Sequence, residues 1–505
     1  MLNSVDFSGR PFHFIGIGGI GMSAIAQVLA SRKLHVSGSD LRLSHITERL
    51  EAQGAHIFNQ QQAKNLAFFA ETADTHLANH QPIQAVLPQV VCSTAIREDN
   101  PEYRQALALG CPIFHRSDIL AALMNEKRGI AIAGTHGKTT TSSITGYLLL
   151  KAGVDPTIII GGEVSTWHGN AYVGKSDYVV AEADESDGSL VKLSSEIGVI
   201  TNIELDHPDH YTSLDQVVAI FDRFVSKCKT VVGSVDCPTV RDRINPTISY
   251  SVNANTEADY KAVNIVETAA GITADIIERG NSLGTLTIPL LGLHNLSNTL
   301  AAVAVARLLN VSFESIQTHL PNFKGARRRF EHRGFQNDIL FIDDYAHHPS
   351  EIKATLAAAR IQRSQSLPSG LDRQIVAVFQ PHRYSRATTL LKEFSTCFED
   401  ADRVLVTDIY SAGESNPTGI TGQALADAIA HHQPNIEYHS SLEATKRVLM
   451  TSLKPGDIVI FLTAGNLNQM IPEVVSAYVA EPIPEVALTQ KTAQKAAQKA
   501  AQKTA

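Results

Sequence analysis

Read for the spacing of its apolar residues, the chain alternates short apolar runs of strand length with stretches of helical period. Phe12-His13-Phe14-Ile15 reads as a strand; it runs into Gly16-Ile17-Gly18-Gly19-Ile20-Gly21, behind which Ala24, Val28 and Leu29 recur as a helix face. Leu34 to Ser39 is the next strand and ends at Asp40. The alternation continues through Ile46 to Leu50, Ala85 to Cys92, Glu102 to Leu109 and Ile113-Phe114. Ile130 to Ala133 predicts a buried strand, and Ile144, Tyr147, Leu148 and Lys151 predict a helix after it. Asp177 to Glu182, Ile197 to Asn202 and Thr285 to Leu291 read as further strands, the last opening a helix with an Ala/Val/Leu face to Leu309. Past Phe323 to Phe330 the pattern restarts: Ile339 to Asp344, a helix begun by Pro349 and running through Leu356, then strands Gln374 to Phe379, Val404 to Thr407 and Ile458 to Thr463.

Strands alternating with helices predict an α/β protein with largely parallel sheets. A chain of 505 residues exceeds one ordinary core. The breaks in the pattern place domains at 1–127, 128–325 and 326–480. A low-complexity tail follows at 481–505; from Gln490 its Gln-Lys-Ala/Thr-Ala repeat has no apolar face to dock, which predicts no catalytic part.

Composition narrows the classes. Hydrophobic residues make up 44% and charged residues 19%, and no apolar run approaches the roughly 20 residues of a membrane span. The five cysteines lack a Cys-x-x-Cys spacing, which fits a reducing cytoplasm and argues against a zinc ribbon. A net charge of -8 disfavours nucleic acid as a partner.

The most specific chemistry sits in Gly134-Thr135-His136-Gly137-Lys138-Thr139-Thr140, between a strand and a helix. Small residues there let backbone N–H groups turn toward a phosphate chain, the helix end adds partial positive charge, and Lys138 reaches the terminal phosphates. Thr139 or Thr140 can hold Mg²⁺. The strict phosphate-loop pattern would need a glycine where Ile132 stands, so this is a shortened variant. A nucleoside triphosphate and Mg²⁺ are the implied ligands. Glu182, delivered at a strand end, is the expected Mg²⁺ partner, a carboxylate for a hard cation; Asp184, Glu185 and Asp187 beside it stay open. His207 and His210 have no third ligand at zinc-site spacing, so one of them is expected beside Glu182 around a second cation. Asn295 and Asn298 share one face of a helix's first turn, where they could read a purine edge or a phosphate, or cap the helix.

The first domain carries a weaker signal. Gly16, Gly18, Gly19, Ile20 and Gly21, with Asp40 about 20 positions on, match a dinucleotide-type turn: a diphosphate on the helix end and Asp40 on a sugar hydroxyl. Ser93 and Thr94 bring hydroxyls to a neighbouring strand end, giving a nucleotide-sugar-sized site. In the third domain, polar residues gather at strand ends, with His348, Arg383 and Arg386 suited to an anionic ligand.

Taken together, Gly-Thr-His-Gly-Lys-Thr-Thr, Glu-Ala-Asp-Glu-Ser-Asp, Thr-Asn-Ile-Glu-Leu-Asp-His, His-Asn-Leu-Ser-Asn, Arg-Arg-Phe, Asp-Asp-Tyr-Ala-His-His-Pro and Gln-Pro-His-Arg-Tyr-Ser-Arg occur in the order of the Mur ligases, which this chain resembles from about residue 12 to 475. The resemblance implies a Rossmann-like N-terminal domain for a UDP-sugar, a central P-loop ATPase-type domain and a Rossmann-like C-terminal domain for an amino acid. It also implies a cytoplasmic enzyme of peptidoglycan synthesis, acting as a monomer or weak homodimer. The implied reaction joins L-alanine to UDP-N-acetylmuramate at the expense of ATP. By motif, Lys138 would neutralise the transferred phosphoryl, Glu182 and His207 would bind Mg²⁺ with Thr139, Asn295 and Asn298 would serve the nucleotide, and Arg329 and Asp344 would complete its site on domain closure. His348, Arg383 and Arg386 would lie near the amino acid and the sugar diphosphate. Three rivals compete: a recycling ligase that adds a preformed peptide to the same sugar, an NAD-dependent dehydrogenase built on Gly16 to Gly21, and a non-catalytic nucleotide switch.

Overall fold

A computed structural model describes residues 4–67, 87–363 and 374–479. The tail at 481–505 and the first two residues of the strand expected at Ala85 to Cys92 lie outside the described residues. Three sheets follow one another along the chain. The first has five parallel strands in the order His56–Phe58, Val36–Ser39, Phe12–Ile15, Gln89–Cys92, Ile113–His115, the doubly wound arrangement in which a ligand crevice opens where the winding reverses. Phe12, Phe14 and Ile15 are fully buried, as expected of a central strand covered on both faces.

The central sheet has ten strands. Its parallel part runs from Ile248–Ser251 through Cys228–Ser234, Ser195–Ile200, Arg128–Ala133 and Tyr178–Glu182 to Thr157–Val164, and Gly169–Tyr172 adds an antiparallel edge. At the other edge Tyr260–Thr268, Gly271–Glu278 and Asn281–Ile288 form an antiparallel flap. The strand expected at Thr285 to Leu291 lies further back, at Asn281–Ile288, because Pro289 lacks the N–H to continue the ladder. The strand expected to reach Asn202 ends at Ile200, since Thr201 and Asn202 turn to the phosphate loop.

The third sheet is ordered Glu331–Gln336, Ile339–Asp344, Ile458–Leu462, Ile375–Phe379, Arg403–Thr407, Ile436–His439, parallel except for its first pair. Pro349 opens the helix Pro349–Arg363 as its missing N–H suits. No helix among the described residues is long and apolar enough to cross a membrane.

The first and central units share one apolar cluster, in which Met22 and Ile25 join Ile159 and Ala171, and polar contacts tie the three units further. Asn170, fully buried on the central edge hairpin, donates to Ile20 O at 2.5 Å. Glu163 on the strand Thr157–Val164 gathers His45 (2.9 Å), Arg49 (3.1 Å) and Arg327 (3.0 Å). One carboxylate therefore meets groups from the first unit and from the connection to the third.

Candidate active site

The loop after strand Arg128–Ala133 is shaped by its glycines. Gly134 (φ +136°) and Gly137 (φ +83°) adopt backbone that side chains disfavour, and a Cβ would lie 2.0 Å from Thr201 Oγ1 at the first and 2.3 Å from Asn298 Oδ1 at the second. The next strand end staples the loop. Asn202 accepts the Thr135 N–H through its backbone (3.0 Å) and the His136 N–H through its side chain (2.8 Å), while Thr201 Oγ1 donates to His136 O (2.6 Å). Two of the amides expected to cradle phosphate are thus spent internally. Anion binding falls to the first turn of the helix Lys138–Lys151, whose N-cap Gly137 has no capping side chain and whose leading N–H groups have no intrahelical acceptor. Thr140 is buried in that turn.

Lys138 folds back on the loop. Its Nζ donates to Gly134 O (2.7 Å) and to both Glu185 oxygens (3.0 and 2.9 Å). Burial opposes its charge, but Glu185 and Asp184 hold the ammonium above its ordinary range. Glu182 accepts from Thr139 Oγ1 (3.0 Å) and from Gly161 N (2.7 Å). Arg329 Nη2 also reaches Thr139 Oγ1, at 3.2 Å, from the far side of the domain junction. Thr139, Glu182 and Arg329 therefore converge.

No direct contact of His207 with Glu182 is found among the described residues. Its ring faces Glu185 (3.6 Å) and Asp206 (3.7 Å), because a left-handed backbone (φ +55°) and a bond from its N–H to Asp206 Oδ1 turn it there. Glu185, left open by the sequence, is instead the acceptor that Lys138 and His207 share. Arg116, which sequence reasoning passed over, donates to Asp184 Oδ2 (2.8 Å) and lies 3.5 Å from where a Gly21 Cβ would stand. It bridges the first unit's glycine turn to the central acids.

Asn295 and Asn298 do not cap their helix. Gly292 is the N-cap without a side-chain bond; Asn295 Nδ2 donates to Leu291 O (2.8 Å), and Asn298 Oδ1 accepts from Thr141 Oγ1 (3.2 Å) beside Gly137. In the first unit, Gly16 (φ +80°) and Ile17 both donate to Ser39 O, and Gly19 bonds back to Gly16 O. Asp40 turns onto the same loop: its Oδ2 accepts the Gly18 N–H at 2.9 Å. The Ser93 to Ile96 turn, with Thr94 exposed, places Ile96 Cδ1 3.7 Å from where a Gly16 Cβ would stand.

Asp344, at a strand end, accepts the N–H groups of Phe330 (2.6 Å) and Ala346 (2.8 Å), and burial pushes its carboxyl up to about 6 against the pull of Arg329. It shapes the loop that carries Arg329. The adjacent histidines diverge. His348 packs on His136, ring centroids 4.6 Å apart, on the phosphate-loop side. His347 is the one that faces His382, at 5.8 Å, near Arg386; burial drives it down to about 4, so it is neutral near pH 7. Glu351 binds His136 Nδ1 at 3.1 Å.

The two arginines also differ. Arg386, nearly sealed from solvent, is committed to Asp206 through Nε (2.9 Å) and Nη2 (3.2 Å), and its Nη1 meets His382. Arg383, part-exposed, uses Nη1 on Asp209 (2.6 Å) and Glu414 (3.1 Å), and no partner of its Nε or Nη2 is found among the described residues. Its remaining edge can receive a carboxylate.

Three family models match in succession: "Mur ligase family, catalytic domain" over residues 11–128, "Mur ligase middle domain" over 132–306 and "Mur ligase, glutamate ligase domain" over 328–465. The chain is 58% identical over 479 residues to the UDP-N-acetylmuramate–L-alanine ligase of Nostoc punctiforme, covering 95% of this chain and 98% of that protein. It is 54% identical to the ligase of the same name from Crocosphaera subtropica, covering 98% of each. Among solved structures, the UDP-N-acetylmuramate–alanine ligase of Thermotoga maritima superposes with a TM-score of 0.74 at 27% identity, over 93% of this chain and 99% of that one. A murein peptide ligase from Psychrobacter arcticus shares the fold, with a TM-score of 0.67 at 23% identity over 94% of this chain and 100% of its own.

Proposed function

The chain belongs to the Mur ligase family, and from that premise we propose that it is the ATP-dependent ligase that joins L-alanine to the carboxylate of UDP-N-acetylmuramate in cytoplasmic peptidoglycan synthesis. The observation that carries this reading is the identity of 58% to a ligase of that name along nearly the whole chain, coupled to a phosphate loop facing Arg329 of another domain. The recycling ligase is the second reading; its support is a shared fold at 23% identity.

A carboxylate is a poor electrophile, so the sugar's carboxylate first takes the terminal phosphoryl of ATP, releasing ADP and giving an acyl phosphate. The amine of L-alanine then attacks the acyl carbon, loses a proton, and expels phosphate. We assign phosphate binding to the first-turn N–H groups of Lys138, Thr139 and Thr140, with Gly134 and Gly137 shaping the loop. Lys138 neutralises charge on the moving phosphoryl after exchanging Glu185 for it. Thr139 and Glu182 offer hard oxygen donors 3.0 Å apart, a set that fits Mg²⁺. When bound, Mg²⁺ supplies neutralisation of the phosphates. His207 would enter that shell only by leaving Glu185. Arg329 contributes charge from the third domain, and Asn298 fixes the loop at Gly137. Gly16 to Gly21, with Ser93 and Thr94, would seat the UDP-sugar. Asp40 is held by the Gly18 N–H, so its part is to shape that turn unless a sugar hydroxyl displaces the bond. Arg383, held by Asp209 and Glu414, would receive the amino acid's carboxylate, with Arg386 fixing Asp206 and His382 nearby. The domain limits proposed are 1–127, 128–325 and 326–480.

Phosphate release measured with Mg-ATP, UDP-N-acetylmuramate and single amino acids tests the reading. L-Alanine should give the fastest release, with glycine and L-serine slower by roughly 10- to 200-fold, the discrimination available from about one methyl-sized group. Faster turnover with a tripeptide than with L-alanine would reassign the chain to the recycling reaction.

A further inference from the structure

The mechanism above gives the side chains of His136 and Glu204 no part, yet both meet His348 where the third domain rests on the phosphate loop. We propose that His136, Glu204 and His348 form a site for a borderline transition-metal ion, Zn²⁺ in particular, separate from the oxygen-lined Thr139–Glu182 position, and that the bound ion clamps the two domains together. One donor atom from each of the three lies within 4.8 Å of the other two, and no other group of three His, Cys, Asp or Glu meets that spacing among the described residues. A tetrahedral ion with bonds of about 2 Å spaces its ligand atoms roughly 3.3 Å apart. The His136 Nε2 to Glu204 Oε2 edge is already 3.5 Å.

A second observation points to a ligand. His348 is 5% exposed and its Nε2 is buried with no hydrogen-bond partner among the described residues. A buried ring nitrogen without a partner is costly unless something joins it. The surrounding bonds suit ligation. Glu351 holds His136 Nδ1 at 3.1 Å, the carboxylate-to-imidazole contact that orients a metal-bound histidine, and Ser350 Oγ donates to Glu204 Oε2 at 2.7 Å. Glu204 is 42% exposed, which leaves an entry path and room for a water as fourth ligand. Two adjustments are needed: His348 Nδ1 accepts the Ser350 N–H at 3.3 Å, and ligation through Nε2 moves the ring proton to Nδ1 and gives up that long bond; and His136 releases to solvent the Nε2 proton that it shares with Glu204. Two imidazoles and one carboxylate favour Zn²⁺ or its neighbours over Mg²⁺. Because His136 and Glu204 follow central strands and His348 directly precedes the third domain's helix Pro349–Arg363, the ion would fix the closed arrangement and slow nucleotide exchange.

Zn²⁺ binding to the full chain, without nucleotide and with Mg²⁺ in excess to fill oxygen sites, tests this independently of ligase activity. One Zn²⁺ per chain should bind, and the His348→Gln/Glu204→Gln variant should bind it roughly 100-fold more weakly, while Glu182→Gln binds as the wild type does. Co²⁺ in place of Zn²⁺ should show a d–d spectrum of low-coordinate nitrogen and oxygen ligands without a thiolate charge-transfer band, a readout on the wild-type protein that does not depend on the variant folding. Binding to the double variant within about threefold of wild type, a thiolate band, or no stoichiometric binding at all would overturn the proposal.

Discussion

Lys138 and Glu185 show what a single charge does here. Glu185 is 2% exposed, so it is buried against the ammonium that neutralises it, and removal of one partner from a buried pair leaves the other uncompensated, at about 3–5 kcal/mol. Lys138→Ala should therefore lose nearly all turnover, at least about 100-fold, and also lower the melting temperature. Lys138→Ala/Glu185→Gln should recover the melting temperature and not the turnover. Recovery of both in the double variant would take Lys138 out of the chemistry. Lys138 itself was legible from its motif, and Glu185 was not: among Asp184, Glu185 and Asp187 no spacing rule says which carboxylate folds inward, since that is set by the Tyr211 hydroxyl donating to Glu185 O. His347 and His348 pose the same problem. Adjacent residues at the start of a helix diverge, and the motif does not reveal which ring faces the phosphate loop.

At the scale of elements, the phosphate loop was the most legible part of the chain because its glycines, lysine and threonines answer local demands of backbone geometry. The flap formed by Tyr260–Thr268 and Gly271–Glu278 was missed, since its alternation is broken by irregular register at Val263/Val266. The loop's demand can be measured. Gly137→Ala imposes a left-handed φ of +83° on a residue with a Cβ and drives it to 2.3 Å from Asn298 Oδ1. Strain of about 1–3 kcal/mol plus that collision should lower ATP affinity at least about tenfold. Gly153, past the other end of the same helix, has φ +80° and nothing within 4 Å of its would-be Cβ. Gly153→Ala should cost about 1 kcal/mol of stability and leave ATP affinity unchanged. Calorimetric titration of both variants checks the contrast; equal losses would mean that backbone strain alone, and not the loop's contact with Asn298, governs binding.

For the whole molecule, the decisive contacts join residues far apart in sequence, which is why sequence patterns could not reveal them: His136 and Glu351 are separated by 215 positions, and Asp206 and Arg386 by 180. These contacts make closure sensitive to pH. Burial opposes a proton on His136, but Glu351 and Glu204 carry its pKa up from 6.5 to about 10. A raised histidine stabilises the closed form fully below its ordinary value of 6.5 and loses that contribution as pH rises through about 10. In the metal-free protein the radius of gyration from solution scattering should grow across that window in the wild type and grow less in His136→Asn. An identical profile in the variant would place the pH dependence elsewhere. Closure matters because the chemistry is divided: the phosphate loop lies in one domain, Arg329 follows the connection into the next, and an acyl phosphate exposed to water would hydrolyse. The central claim is that the sugar's carboxylate is itself phosphorylated. Turnover of UDP-N-acetylmuramate labelled with heavy oxygen in that carboxylate, with Mg-ATP and L-alanine, tests it most directly. The account predicts one labelled oxygen in each phosphate released; unlabelled phosphate, with all the label kept by the sugar product or passed to water, would contradict it.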